Sequence, residues 1–560
     1  MQNIIISLDV GSSSIRCTPF VIHQTKQDEN GNETSIPVTA IPECASTYKG
    51  SSVEPGTGYI KINIEGKTIV EIISSSIDQT LTLLRARKQE FEVVAMGITT
   101  FVMNLLGVSS DGTVSDSSHT CSYACNLETV EKQCVSLKQS LGVEKESELY
   151  QRTGAPIHPA YALPQLKSIY EKNDVDVKIW TTIASLCISE WTGKDIFSMP
   201  ISFSEAGWTG MMNFRSGEWE KDAIELLPKC CNDALPSISE DIFDGLCGDY
   251  KDRWPEMTQS KFILGFGDGA CANIGSKCTN EERIAVTIGT SAAARIVLPL
   301  KVNREIKREG ENGHNESSKR RKMEERGDTD TFTIPKGLFC YRIDSDHILL
   351  GGALTDGGSV IEWIRTFLNL KDDDEYKKLE TEAYTSYLEQ SESSRSDNSL
   401  IFIPFLSGER SVGYRGSATG CITGLTRNSK PSDFLQEALQ GVVMRLNAVL
   451  TLLKNANGDL GDTDPLIVAS GNALDKNNVW REMIADSSGM DVILDEETKE
   501  ATSRGAAILV AKQIHDYTAL PVENLVISKY SKPHPIRTKF WKDKQNLQER
   551  NIMCIDQIWK

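Results

Sequence analysis

The chain has no long hydrophobic run. Nowhere in its 560 residues is there a stretch of about 18 apolar residues, the length that a membrane-spanning helix needs. Asp9 interrupts the N-terminal apolar run too early for a secretory signal. We therefore expect a cytoplasmic protein that has no membrane partner.

Positive charge is also scarce. The 60 lysines and arginines are outnumbered by 78 aspartates and glutamates, which leaves a formal charge of −18. Proteins that bind nucleic acid need a basic face to displace the counterions of the phosphate backbone. The composition therefore argues against nucleic acid as a partner.

Disulfide and metal-binding patterns are missing too. The 14 cysteines are scattered without the spacing of a small disulfide scaffold, so we expect free thiols. The nearest approach to a metal-binding cluster is His119, Cys121 and Cys125, and no second pair of ligands follows it. We interpret these three as core and turn residues.

Apolar residues are almost absent from 301–330, which is nearly all charged or polar. Such a composition predicts a disordered surface loop inserted in a folded domain, away from the chemistry. The basic residues at 319–322 leave a nuclear import signal open as an alternative to an ordinary solvated loop.

What the sequence does contain is a repeated pattern of strand, small-residue turn and strand. It occurs at residues 3–22, NIIISLDVGSSSIRCTPFVI, and again at 282–300, ERIAVTIGTSAAARIVLPL. Both copies predict a β-hairpin, whereas a nucleotide P-loop joins a strand to a helix. The turns offer backbone N–H groups and hydroxyls to phosphate oxygens, so two facing turns could hold a triphosphate between two lobes.

A Gly-Lys-Thr triplet at 66–68 imitates part of a P-loop. The glycine that the motif requires five residues earlier is Lys61 in this chain, and no glycine-rich turn precedes the triplet. We reject this segment as a phosphate site.

A candidate catalytic carboxylate lies between the two hairpins. In residues 262–278, FILGFGDGACANIGSKC, an apolar strand ends at Asp268, with Gly267 and Gly269 on either side. Flanking glycines let a substrate approach the carboxylate closely. The alternative for Asp268, and equally for Asp9, is an aspartate that caps a turn by accepting nearby backbone N–H bonds.

In order and spacing, ten stretches of the chain resemble the FGGY carbohydrate kinases, a branch of the actin and hexokinase superfamily, to about residue 515. They are LDVGSSSIR, TGAPIHPAYALPQL, SFSEAGWTG, GDGACANIGS, TIGTSAAAR, GGALTDGGSVIEW, IPFLSGERSVGY, GVVMRLNAVL, SGNALDKNNVWREMIADSSG and EATSRGAAI.

The resemblance implies an α/β fold of two ribonuclease-H-like lobes of the actin and hexokinase type that enclose a catalytic cleft. The first lobe, 1–277, would bind substrate and phosphate. The second, 284–515, would bind the nucleotide and carry the insertion 301–330. A C-terminal extension, 516–560, would pack on the surface.

The resemblance also implies roles for single residues, with ATP and Mg²⁺ as the cofactors. Asp9 would help to hold the magnesium ion, and Asp268 would be the catalytic base. The remaining residues would bind phosphate at the first turn (Gly11, Ser12, Ser13, Arg16), phosphate at the second turn (Gly289, Thr290, Ser291), adenosine (Gly471, Asn472, Ala473) and substrate (His158, Tyr161, Gly267, Gly269).

The chain looks most like the gluconokinase branch, although two pocket positions depart from the family. Met103 stands where that branch tends to carry a histidine, and Cys125 stands where many members have an aspartate that contacts the polyol. Such polar groups discriminate between sugars. Glu409 and Arg410 match the family's Glu-Arg pair, which could be a structural ion pair or a ligand contact.

Three classes of function remain open. The first is ATP-dependent phosphorylation of a small molecule, with gluconate favoured and a ketopentose such as xylulose or ribulose as the alternative. The second is an actin-like or chaperone-like ATPase. The third is a catalytically weak sugar-binding sensor. A homodimer is compatible with the sequence.

Overall fold

The computed structural model describes residues 1–23, 26–27, 33–35, 37–114, 116–171, 175–300, 332–393, 400–457, 464–496, 500–517 and 519–559. The predicted disordered loop 301–330 lies outside these ranges. The described residues form two seven-stranded sheets, several two- and three-stranded sheets, and helices around them.

The first large sheet is built from the N-terminal half of the chain. Its central strand is almost continuously apolar because both of its faces are buried. The hydrogen-bonded order is Ile242–Asp244, Lys261–Gly267, Phe91–Thr100, Gln2–Val10, Ser14–Ile22 and Val38–Ala40, with Ser46–Lys49 also paired to Ser14–Ile22.

The second large sheet repeats the plan, with an antiparallel hairpin beside parallel strands. Its order is Phe339–Arg342, His347–Leu354, Ala292–Pro299, Arg283–Ile288, Leu466–Ser470, Val492–Asp495 and Ile527–Ser531. The structure thus confirms that both small-residue turns connect the strands of β-hairpins.

The helices pack on and between the sheets. The longer ones are Ile69–Ala86, Glu128–Thr153, Ala162–Tyr170, Ile183–Thr192, Asp268–Gly275, Ser359–Phe367, Asp373–Ser393, Pro431–Asn457, Asn478–Ser488, Ala501–Ile514 and Pro535–Trp559; Phe203–Gly207 and Asn472–Lys476 are short. None within the described ranges is both long and apolar enough to cross a membrane.

The Gly-Lys-Thr triplet has a structural explanation. Thr68 is the residue that caps helix Ile69–Ala86, and its side chain accepts the N–H of Glu71. The Glu71 carboxylate accepts the N–H of Thr68 in return, at 2.6 Å. This reciprocal pair is a capping box, which satisfies two backbone donors at the start of a helix.

Helix Ala501–Ile514 connects the two halves of the molecule. It packs on Asp268–Gly275 and on the first sheet, although it follows the strands of the second sheet in sequence. A side chain at Gly275 or at Gly505 would lie within 2 Å of a backbone carbonyl oxygen of the other helix. Both glycines are therefore needed for this close crossing.

The C-terminal extension is more deeply integrated than a segment packed on the surface. Strand Ile527–Ser531 pairs antiparallel with Val492–Asp495 and thereby extends the second sheet. The helix that follows buries Phe540, Trp541 and Ile552. The pairing of the sheet edge and the burial of these side chains explain the difference. The lobe boundaries stay a prediction.

Candidate active site

The first sheet brings two aspartates from distant parts of the chain to one edge. Strand Phe91–Thr100 runs parallel to Gln2–Val10 on one side and to Lys261–Gly267 on the other. Asp9 lies at the carboxyl end of the first of these strands, and Asp268 directly follows the last. Open α/β sheets bind ligands at the carboxyl ends of their strands.

Asp268 begins a helix and lies between opposing electrostatic influences. Burial raises the pKa of its carboxyl group, while the guanidinium groups of Arg295 and Arg410 and the N–H of Gly269 act in the opposite direction. The Gly269 N–H donates to Asp268 Oδ1 at 2.7 Å. A Cβ on Gly269 would lie 3.1 Å from Arg295 Nε, so the glycine lets the arginine approach.

Asp9 is affected by its acidic neighbour. Burial and then the charge of Asp268 raise the pKa of Asp9 to about 7, against the influence of Arg16. Arg16 Nη1 lies 4.0 Å from an Asp9 oxygen and 3.3 Å from a Glu500 oxygen. Two interacting carboxylates favour a cation between them.

The donor chemistry of this edge fits magnesium. The residues described contain no group of three or more His, Cys, Asp or Glu side chains that could hold a metal by themselves. Mg²⁺ usually keeps several waters and is bound by one or two carboxylates together with substrate phosphates. Asp9 would be the carboxylate of such a site, with Asp268 beside it as the candidate base.

The first hairpin turn is held in place from outside. The N–H groups of Gly50 and Ser52 donate to the carbonyls of Ser13 and Ser12, at 3.2 and 2.9 Å. The hydroxyl of Tyr123 donates to Ser12 Oγ at 3.1 Å. Backbone and hydroxyl contacts therefore fix the turn next to Asp9.

The second turn is exposed and fixed in a similar way. The N–H of Gly358 donates to the Gly289 carbonyl at 2.7 Å, and that of Gly357 donates to the Thr290 carbonyl at 2.8 Å. Gly471 lies at the same sheet edge, because Leu466–Ser470 runs parallel to the strand that precedes the turn.

Gly471 opens helix Asn472–Lys476 at φ +94°, and a Cβ there would lie 2.6 Å from the Ile288 carbonyl oxygen. Only glycine suits this backbone. Ala473 is partly buried against the core of the second sheet. The structure thus brings the residues that were predicted to bind adenosine next to the second hairpin turn.

A cavity at Asp268 is shared by both halves of the chain. The first half contributes Val102, Tyr123, Ser204, Trp208, Gly267, Asp268, Gly269 and Ala270, and the second contributes Ser291, Ala293, Arg295, Phe339, Tyr341, Arg342, Leu349, Ala353 and Arg410. A neighbouring cavity shares Tyr123, Ser291 and Arg410 with it, and contains His158 and Cys125.

His158 and Tyr161 occupy different places. His158 lies in the neighbouring cavity, and its Nδ1 accepts the Ala160 N–H at 3.2 Å. Burial, followed by the charge of Arg410, lowers the pKa of His158 to about 3, so the ring is neutral at ordinary pH. Tyr161 does not line the Asp268 cavity, but its hydroxyl is hydrogen-bonded at 2.6 Å to the hydroxyl of Tyr341, which does.

Three side chains that line the cavity were not predicted as site residues from the sequence. Arg295 is the only charged residue in strand Ala292–Pro299, a signal that was available. The sequence left Arg410 open as a partner of Glu409 in an ion pair or as a ligand contact. In the part of the chain that the structure describes, Glu409 pairs with Arg415 and Arg445.

The third missed side chain is Trp208. Its indole N–H is buried in the cavity wall and has no hydrogen-bond partner among the described residues. It lies in the stretch SFSEAGWTG, which matches the family, and this was the signal that could have pointed to it.

The fold is similar to those of several solved kinases. The structure superposes on a gluconate kinase from Lactobacillus acidophilus with a TM-score of 0.73 at 19% identity, covering 99% of this chain and 98% of that one. A xylulose kinase from the same organism gives the same values. Plasmodium falciparum glycerol kinase with ADP gives a TM-score of 0.70 at 16% identity, covering 98% of each chain. These matches confirm the predicted α/β fold of two lobes around a cleft.

The sequence matches are more specific. Residues 284–514 match the C-terminal domain of the FGGY family of carbohydrate kinases, which confirms the resemblance seen in the motifs. A gluconokinase from Bacillus subtilis is 27% identical over 368 residues, which are 65% of this chain and 64% of that protein. A xylulose kinase from Staphylococcus xylosus is 22% identical over 410 residues, or 72% and 74% of the two chains.

Proposed function

We propose that this chain is an ATP-dependent carbohydrate kinase that phosphorylates a hydroxyl of a sugar acid, with gluconate favoured over other acids. The observation that carries the proposal is the cavity in which Asp268 of the first half meets Arg295 and Arg410 of the second. The gluconokinase relative and the gluconate kinase fold support the same choice.

The cavity suits an anionic polyol. Guanidinium groups recognise carboxylates through charge-assisted hydrogen bonds, and two of them, on Arg295 and Arg410, lie near Asp268. The indole N–H of Trp208 is a further buried donor. Together these groups offer hydrogen-bond donors to carboxylate and hydroxyl oxygens, while the Asp268 carboxylate accepts from a hydroxyl.

Catalysis would consist mainly of positioning and charge control. Asp268 would accept the proton of the attacking hydroxyl, for which its glycine-flanked position leaves room. Asp9 and the serines of the first turn lie at the same end of the first sheet as Asp268 and would face the phosphates of ATP. Mg²⁺, when bound, would offset phosphate charge during transfer.

ATP would lie across the two hairpin turns. Gly11, Ser12, Ser13 and Arg16 would contact its phosphates from the first half, and Gly289, Thr290 and Ser291 from the second. Gly471, Asn472 and Ala473 would pack on adenosine. The glycines would let the backbone approach phosphate and base closely.

A coupled ADP-release assay on gluconate, other sugar acids, ketopentoses and polyols tests this function. We expect turnover of gluconate at a rate above that of every neutral sugar. We also expect Arg410→Gln to raise the KM for gluconate by about tenfold or more, the scale of a hydrogen bond to a charged group. The same variant should change the KM for a neutral polyol much less.

The xylulose kinase matches keep the ketopentose alternative in the test. Faster turnover of xylulose or ribulose than of any acid would decide for that alternative. ATP binding without turnover of any compound would decide for the sensor. ATP hydrolysis stimulated only by a protein would decide for the actin-like or chaperone-like class.

We further propose Mg²⁺ as the metal and the cytoplasm as the location. All fourteen cysteines lie among the described residues and none forms a disulfide, as is usual in a reducing compartment. A homodimer stays open and is decided by light scattering.

A further inference from the structure

The last helix of the chain covers the segment that carries Arg410. This segment, residues 404–420, connects strands Ile401–Ile403 and Cys421–Thr423, and we call it the Arg410 loop. Helix Pro535–Trp559 packs against the first of these strands. Its final turns therefore lie beside a loop whose Arg410 reaches the candidate active site.

Two acidic residues of the helix take part in ion pairs that lead to the loop. Asp556 Oδ1 accepts from Arg415 Nε at 2.7 Å, and Glu549 Oε1 accepts from Arg445 Nη1 at 2.6 Å. Both arginines also donate to the carboxylate of Glu409, and Arg445 Nη2 does so at 2.8 Å. Glu409 is thus the centre of a five-residue charge network.

Glu409 is the residue directly before Arg410, and its backbone and side chain close the turn around Arg410. Its N–H donates to the Arg415 carbonyl at 2.9 Å, and its Oε1 accepts the Gly413 N–H at 3.2 Å. The Ser411 N–H donates to the Ala353 carbonyl at 2.9 Å, which ties the turn to the second sheet.

Two members of this charge network are almost fully buried, so each depends on its charged partners. The side chains of Glu409 and Arg445 are each only 1% exposed. A buried charge that loses a partner is strongly unfavourable, so the surrounding structure must shift to compensate. The compensating movement would occur in the turn that contains Glu409 and therefore at Arg410.

Apolar and polar contacts reinforce the same interface. Ile552 joins Ile401, Ile403, Phe405 and Ala418 in a small core separate from those of the two large sheets, and the Trp559 ring packs on Phe405 with centroids 5.6 Å apart. The helix is therefore attached along the loop as well as at its charged turn.

We propose that Glu549 and Asp556 of the C-terminal helix are positioning residues that hold Arg410 in the orientation needed to bind the substrate. The proposal rests on the proposed function in one respect, namely that Arg410 binds the anionic substrate. It assigns to the end of the chain, outside the matched domain 284–514, a part in substrate recognition.

Kinetics on the full chain test the positioning role. We expect Asp556→Asn and Glu549→Gln each to raise the KM for gluconate by roughly tenfold. The effect on kcat should be smaller, because the misplaced group, Arg410, binds the substrate and does not accept the proton. Asp556→Glu should recover most of the loss. In an Arg410→Gln background, Asp556→Asn should raise the KM further by less than about twofold, because Asp556 is proposed to act through Arg410.

The matched control is Arg537→Gln. Arg537 belongs to the same helix but pairs with Asp486 at 3.5 Å, far from the Arg410 loop in sequence and contacts. It should lower the melting temperature as much as Asp556→Asn does and leave the KM unchanged. An equal rise in KM for both variants, or equal effects of Asp556→Asn with and without Arg410, would overturn the proposal.

Hydrogen exchange separates this proposal from the proposed function. Asp556→Asn should increase amide exchange in residues 409–415 while leaving 283–288 unchanged, whatever the substrate of the enzyme. Unchanged exchange in 409–415 would refute the anchoring. Increased exchange together with no turnover of gluconate by the wild-type chain would refute the proposed substrate and leave the anchoring established. In that case the enzyme's actual substrate replaces gluconate in the kinetic comparison.

Discussion

The two hairpin turns have similar backbones and different chemistry. In both, the first strand ends one residue before a glycine, at Val10 before Gly11 and at Ile288 before Gly289. The last strand residue but one is Asp9 in the first hairpin and Thr287 in the second. In both, the carbonyls of the turn accept N–H groups from another loop. Asp9 pairs with Arg16 in the register, whereas Thr287 faces Ala293.

We propose that this difference divides the reaction between the two halves. The first edge concentrates the carboxylates Asp9 and Asp268, which suits a metal ion and proton transfer. At the second edge the Thr287 hydroxyl is hydrogen-bonded to Ser470 Oγ at 2.8 Å, and a neutral surface beside glycine suits a nucleotide. The guanidinium of Arg295 extends from the second sheet toward Asp268.

The largest expected effect comes from Asp268→Asn. The amide keeps the size of the carboxylate but cannot accept the hydroxyl proton, so kcat should fall by a factor on the order of 10² or more. ATP binding, measured by calorimetry, and the melting temperature should stay close to wild type. Turnover near the wild-type rate would disprove the mechanism even with the fold intact.

A paired substitution at equivalent positions of the turns tests the division directly. Asp9→Asn should lower kcat by roughly 10-fold or more and raise the Mg²⁺ concentration for half-maximal activity, because a carboxylate oxygen ligand is lost. Thr287→Val, its counterpart, should change kcat less than about threefold. Equal Mg²⁺ requirements in the two variants would contradict the assignment of the metal to the first edge.

A third carboxylate of the first half, Glu205, predicts a pH-dependent stability. Burial raises its pKa from 4.5 to about 7, and its side chain closes a capping box with Ser202. Between these pH values the folded state retains a proton that the unfolded state loses. Stability therefore decreases as the pH rises, by about 1.4 kcal/mol per pH unit from this group.

Glu205→Gln removes this titration. The melting temperature of the variant should improve relative to wild type as the pH rises from 5 to 8, in scans of both proteins at each pH. The exposed Glu218→Gln serves as the control and should show a constant difference. A constant difference for Glu205→Gln as well would show that Glu205 ionises alike in both states.

The smallest effect is expected from the segment between the hairpin of the second half and the next strand. Replacing 301–330 with a short Gly-Ser linker should leave kcat and KM within about threefold, because changes in loop length cost little free energy. Loss of activity by a protein with an unchanged melting temperature would show that the segment belongs to the active site.

Short stretches of sequence were enough to predict much of the fold and part of the candidate site. Both hairpins were predicted from the order apolar strand, small-residue turn, apolar strand, because turn and strand preferences depend on neighbouring residues. Asp268 was found in the same way, because glycines flank it at the end of an apolar strand. The motif order predicted the fold, and the structural matches confirm it.

The tertiary structure decided what depends on contacts between distant residues. The meeting of Arg295 and Arg410 with Asp268, the placement of Tyr161 behind Tyr341, and the ion pairs of Glu409 join residues far apart in the chain. The same holds for the C-terminal extension, whose strand and helix looked like a surface segment. By itself the sequence determined the hairpins and the catalytic candidates; packing alone decided which charges share a cavity, because Coulomb interactions depend on distance in space.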